Sequence, residues 1–245
     1  MARTKKLDGI AITDHDSIDS LEEAMSISSE FLDFEVIPGI ELGCFHSGEE
    51  VHILGYFIDY HDKELTEILK QLKDSRWQRG VKIIEKLEEL GIDLHKNQIL
   101  KEAKESGFIG RALIARKLCE FGYVKTIKEA FDLYLNSDKP AYVKRFQLSI
   151  KDTIDLIHRV HGISVLAHPG ILRNKDIMTF CVEQGIMGIE CVHSKHTEKE
   201  TNYLCKFAKD RNLIITGGSD YHGDEDILGD YYVEINRLSL LKELS

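Results

Sequence analysis

Proline is scarce in this chain, with 3 among 245 residues, and no low-complexity tract occurs, which argues against long disordered stretches. The five cysteines are odd in number and show no paired spacing. That fits a reducing cytoplasm better than a disulfide framework, and without a Cys-x-x-Cys pair a thiolate zinc site is a poor fit. No apolar run is long enough to span a bilayer. The basic start, Met1 to Lys6, leads into no apolar h-region, so no signal peptide is expected. Basic charge is outweighed: 32 Lys and Arg stand against 42 Asp and Glu, a formal net charge of −10. Such a balance argues against an extended nucleic-acid surface, although a nucleotide or short RNA end held by a local cluster remains compatible. There is no Walker P-loop, no Gly-x-Gly-x-x-Gly after a strand and no Gly-x-Ser-x-Gly elbow, so neither a nucleotide cofactor nor a serine nucleophile is supported.

What is present is an ordinary globular composition, 42% hydrophobic and 30% charged. Short apolar, β-branched runs alternate with helical periods. Ile10–Thr13, Glu35–Ile40, Ile163–Ala167, Gly188–Val192 and Leu213–Thr216 read as strands. Residues 49–59 alternate and form a further strand, joined to the second as a hairpin through the loop at Cys44–Glu49. Ser17 is placed to cap a helix running to Phe31, and Ser149 one running to His161. Further helices fit Lys175–Gln184 and Thr197–Arg211, and a last strand, Tyr231–Ile235, precedes a short terminal helix. Between about residues 62 and 139 only helical periods occur, with Leu65, Ile68, Leu69 and Leu72, then Val81, Ile84, Leu87 and Leu90. The pattern predicts an α/β domain over 1–61 and 140–245, interrupted by a helical subdomain over 62–139. Right-handed strand–helix units predict a parallel sheet, open or closed as a barrel.

Acidic and imidazole side chains fall repeatedly at carboxyl ends of these strands: Asp14 and His15, Glu41, His168, His193, and Asp220 with His222. His52 lies within the hairpin strand. Gly217 and Gly218 end the last of the buried strands, so the chain turns sharply into Ser219–His222. One histidine at a strand end is more often structural. Several converging on one rim suit Zn, Mn or Fe, with a carboxylate able to bridge ions.

The motifs Ile12-Thr-Asp-His-Asp16, Pro38-Gly-Ile-Glu41, Val51-His-Ile-Leu-Gly55, Leu166-Ala-His-Pro169 and Gly218-Ser-Asp-Tyr-His222 resemble, in order and over essentially the whole chain, those of the PHP (polymerase and histidinol phosphatase) family. The similarity is nearest to its stand-alone metal-dependent phosphoesterases, which act on nucleotide or RNA-end phosphates. The resemblance implies a distorted (β/α)7 barrel and a centre of up to three Mn, Fe or Zn ions. It implies His15, Glu41, His52, His168, Asp220 and His222 as metal ligands, with Glu41 bridging. Catalysis would use metal-activated water, with His222 or His193 as proton donor to the leaving group.

PHP proteins open on a strand bearing His-x-His and an Asp soon after, and this sequence lacks those residues. The resemblance therefore implies a truncated barrel without its first strand, roughly 25–30 residues short, with fewer ions. By position, the site of Glu41, His52 and His168 keeps its protein ligands. The site of His15 and His222 lacks an Asp, and that of Glu41 and Asp220 lacks two His. Arg111 is the leading candidate for holding substrate phosphate, since guanidinium binds it bidentately. Lys195 and His196 are further candidates. The family branch reads Gly-Arg-Pro-His-Ile-Ala where this chain has Ala112 and Leu113 after Arg111, so substrate detail does not transfer. The expected activity is hydrolysis of phosphate esters of nucleotides or short RNA ends. A catalytically impaired metal-binding or interaction domain is the alternative, and an amide or C–N hydrolase on a related barrel is a third.

Overall fold

The computed structural model describes residues 2–31, 33–106, 109–144, 146–223 and 228–234. The chain divides into two compact units, Met1–Glu67 with Gln147–Ser245, and Ile68–Phe146.

The first unit is a mixed α/β fold around a curled six-stranded sheet. Strand β1 (Gly9–Ile12) pairs in parallel with β2 (Glu35–His46). Helix α1 (Leu21–Ser28) connects them. Ser17 does not cap it: its Oγ accepts the Asp19 amide in a local turn, and the helix starts after Ser20, whose hydroxyl donates to Asp14. Strand β3 (Glu49–Tyr56) returns antiparallel to β2 through a turn of only two residues, Ser47 and Gly48, both at positive φ. That is the turn whose twist matches a hairpin, so both strands run further toward the tip than the wider predicted loop allows.

After the inserted helices, β4 (Ile163–Leu166) lies antiparallel to β3, and β5 (Gly188–His193) and β6 (Ile214–Gly218) continue in parallel. The expected hairpin is present, and the expectation of parallel pairing elsewhere is corrected at β3–β4, which is antiparallel as well. The hairpin reverses the chain at β3, which leaves antiparallel pairing on both of its sides. Six strands stand in the order β1-β2-β3-β4-β5-β6 among the described residues. Tyr231–Glu234 form no strand; Ile235 and the expected terminal helix lie outside the described residues.

The sheet holds because apolar side chains on both of its faces are fully buried: Ile40, Leu42 and Ile53 on one face and Ile163 and Val165 on the other are all 0% exposed. A helix over Ile150–Arg159, capped by Ser149 accepting the Asp152 amide, packs Ile157 against Gly55, where a β-carbon would come within 3.2 Å of it. The second unit is helical. Its first helix, Lys63–Glu89, begins in the first unit and supplies Ile83, Ile84 and Leu87 to a core with Ile99, Ile114 and Leu118. Three side chains of that helix hold the segment that closes the unit. Arg79 donates to the Val143 carbonyl, Lys86 to the Tyr142 carbonyl, and Ser75 accepts the Phe146 amide.

Candidate metal centre

Strand pairing assembles the centre. His15 continues β1 alongside Glu41 in an isolated parallel bridge. The Asp16 amide donates to the Glu41 carbonyl at 2.8 Å, and the Asp16 carboxylate accepts the Gly43 amide at 3.0 Å. Glu41 is not at a strand end, as expected from sequence, but inside β2, because β2 runs on into the hairpin. It pairs with Leu54, and Gly43 pairs with His52. Glu41 and His52 are therefore diagonal neighbours on one face, within side-chain reach. His168 follows β4, and the Ala167 amide donates to the His52 carbonyl.

The side chains meet closely. Glu41 Oε1 lies 2.7 Å from His52 Nδ1 and 3.2 Å from His168 Nε2, and those two nitrogens are 3.2 Å apart. His52 turns its other nitrogen to His15, with the two Nε2 atoms 3.3 Å apart. From His15 through His52, His168 and His193 to His196, neighbouring ring centroids are 4.7, 5.1, 5.5 and 5.2 Å apart, a continuous row of imidazoles. Burial pushes the Glu41 carboxyl up, but hydrogen bonds from His168 and His52 outweigh it and hold the group well below the usual carboxylate range. Burial disfavours charge on His52, but the Glu41 carboxylate beside it wins and raises its pKa.

Glu41, His52 and His168 each offer a ligand atom within 4.8 Å of the others, as do His15, Glu50 and His52. The donor set of imidazoles and carboxylates suits a borderline divalent cation. Two buried imidazole nitrogens, His168 Nδ1 and His193 Nε2, have no hydrogen-bond partner among the described residues. Such vacancies are rare in folded proteins and mark a polar site fitted for more than the protein alone.

A second cluster surrounds Asp220, which adopts φ 54°. Lys195 Nζ is 3.1 Å from its carboxylate, His222 Nδ1 3.5 Å and His193 Nε2 3.8 Å. Burial pushes Asp220 up, yet the His193 and Lys195 side chains bring it down to about 2. The His193 Nδ1 atom accepts the Lys195 amide, so in the neutral ring Nε2 carries the proton and faces Asp220. His222 is largely exposed, and its Nδ1 lies 2.7 Å from the Asp220 carbonyl.

The expected phosphate contacts fare differently. His196 has both nitrogens engaged: Nδ1 bonds the Cys191 carbonyl at 3.0 Å and Nε2 the Gly170 amide at 3.0 Å. Neither nitrogen is left for a substrate oxygen. Arg111 belongs to the helical unit, where it reaches the Leu135 carbonyl at 3.5 Å and stacks over Phe131. Sequence reasoning missed Glu50, although it shares the His52 face of β3 by strand alternation. It also missed Glu190, a carboxyl 5% exposed in the middle of apolar β5. Its Oε2 accepts the His168 amide at 2.8 Å, and burial pushes its pKa up to about 8. A lone acidic residue in a buried strand was the available signal.

No family profile matches the chain. It is 32% identical over 219 residues to a 5'-3' exoribonuclease of Haemophilus influenzae, covering 87% of this chain and 78% of that protein. A 3',5'-nucleoside bisphosphate phosphatase of Chromobacterium violaceum is 29% identical over 219 residues, covering 87% and 76%. Among solved structures, an amidohydrolase from Chromobacterium violaceum with bound sulfate and no metal superposes with a TM-score of 0.77 at 25% identity, over 99% of this chain and 88% of that one.

Proposed function

The chain belongs to the PHP-type phosphoesterase family, a family of hydrolases, and from that premise we propose that it hydrolyses phosphate esters of nucleotides or RNA ends with divalent-metal assistance. The observation that carries this reading is the single Glu41 oxygen shared between His52 Nδ1 and His168 Nε2. Glu41, His52 and His168 would hold one cation; His15 adjoins them, and Asp220 with His222 offers further ligands. A divalent cation there supplies Lewis acidity, activating water and offsetting charge on phosphate oxygens. His193 in its imidazolium form, which gives up the Lys195 amide bond at Nδ1, would pass its Nε2 proton to a leaving oxygen and become neutral, with Asp220 beside it to stabilise the charged ring before transfer. His222, more exposed, is a second candidate for that role. Lys195, beside Asp220, supplies a fixed cation for phosphate, and Arg111 of the helical unit is a further candidate for that role. The relatives' names, an exoribonuclease and a nucleoside bisphosphate phosphatase, support the substrate class. The relatives' activities do not favour the impaired-remnant reading. The test is metal content by mass spectrometry, with turnover of 3',5'-bisphosphorylated nucleosides and 5'-phosphorylated oligonucleotides. Turnover that survives exhaustive chelation sinks the reading.

A further inference from the structure

His168 is the one proposed ligand of its cluster that no strand pairing holds. It sits at φ 29°, ψ 52°, immediately before Pro169. Left-handed backbone is unfavourable for a residue with a β-carbon, and a following proline disfavours it further. Such a conformation persists only where the surroundings over-determine it. Here the surroundings are specific. Buried Glu190 of β5 accepts the His168 amide through Oε2 at 2.8 Å. Two residues on, His196 accepts the Gly170 amide through Nε2, and its tautomer is set by Nδ1 donating to the Cys191 carbonyl. Lys175 closes the turn by donating to the carbonyls of Pro169 and Gly170, at 3.1 and 2.7 Å.

The fit is tight on both sides. A β-carbon at Gly170 would lie 2.3 Å from the His196 ring, and one at Gly218 would lie 3.3 Å from Glu190 Oε1. Glu190 and His196 thus reach from β5 and the loop after it to the two outer amides of the turn His168–Gly170. Strained backbone at the start of that turn, at His168 itself, aims the ring at Glu41 and His52. We propose that Glu190 and His196 are positioning residues that clamp the His168 turn and so set this side chain as a cation ligand. The inference rests on the metal-site reading above.

The test is titration of the full chain with Mn²⁺ alone, followed by calorimetry, alongside thermal unfolding of the metal-free protein. Glu190→Leu and His196→Leu remove the acceptors; Glu190→Gln and His196→Gln keep a hydrogen-bond acceptor near the same place, the amide oxygen replacing the His196 Nε2. Loss of outer partners of metal ligands weakens binding about 10- to 100-fold, and that loss is expected for both Leu variants, with the Gln variants within about threefold of wild type. Two variants at separate positions keep the test informative should Glu190→Leu fail to fold. Glu49→Leu is the control for simple loop stability. Glu49 accepts the Arg173 and Asn174 amides farther along the same loop. Its loss lowers the unfolding temperature without changing Mn²⁺ affinity. Wild-type affinity in Glu190→Leu and His196→Leu overturns the inference alone. A wild-type chain that binds no Mn²⁺ overturns the metal reading and the inference with it.

Discussion

Glu41→Gln isolates the charge at the heart of the centre while keeping its shape. In the metal-free chain, Glu41 accepts from His52 and His168 at 2.7 and 3.2 Å in a site 11% exposed. Charge-assisted hydrogen bonds contribute about 1.5–3 kcal/mol each, but desolvation of the carboxylate offsets much of that, and glutamine still accepts one bond. A net loss of about 2 kcal/mol is expected, a fall of roughly 4–8 °C in a unit of this size. The pH dependence distinguishes this from a packing defect. Glu41 is held below its ordinary 4.5, so its contribution is present above that value and lost as pH falls through the folded pKa. His52 is raised above 6.5, so its contribution is complete below that value and lost as pH rises through the folded pKa. The gap between wild type and Glu41→Gln should therefore be widest between about pH 4.5 and 6.5 and narrow on either side. Thermal unfolding followed by circular dichroism from pH 4 to 9, with chelator present, measures it. A gap constant across that range would refute the assignment of the ion pair.

Cation uptake near pH 6.5 should release protons, since His52 must be neutral to ligate; calorimetry in buffers of different ionisation enthalpy counts them, and the count should fall as pH rises. His193→Gln should lower kcat about 10²- to 10⁴-fold on alkyl phosphate esters and far less on nitrophenyl esters, whose leaving group needs no proton; equal losses on both would remove His193 from that role. Lys195→Met should raise KM about tenfold with little change in kcat, as expected for a charge-assisted phosphate contact. Gly39→Ala should destabilise the protein by about 1–3 kcal/mol in denaturant unfolding, because the new β-carbon would lie 2.8 Å from the Gly55 carbonyl oxygen, which the sheet cannot move.

Much of the proposed ligand set was legible because chemistry-bearing residues are conspicuous in apolar strands. Glu41 ends a β-branched run on paper, and His168-Pro169 interrupts another. What could not be read was which of them touch. Strand alternation places His52 on a face, but register alone makes it diagonal to Glu41 rather than one pair away. Glu190 escaped notice since its partner is a backbone amide 22 positions earlier, and backbone donors leave no mark in sequence. His196 looked like a free cation for the converse reason: nothing local shows that both nitrogens are spent on main-chain groups.

From the sequence by itself come the helical insertion, the strand–helix periods around it, the Ser149 cap and the residues able to bind a cation, all consequences of local periodicity and side-chain chemistry. Only the tertiary structure decided that β3 runs antiparallel to β4 as well as to its hairpin partner, that Glu41 lies within its strand, and that the His168 turn is held by Glu190 and His196. Those outcomes depend on pairing register and on hydrogen bonds between segments far apart in the chain. Their energies are settled only when the whole sheet closes around them.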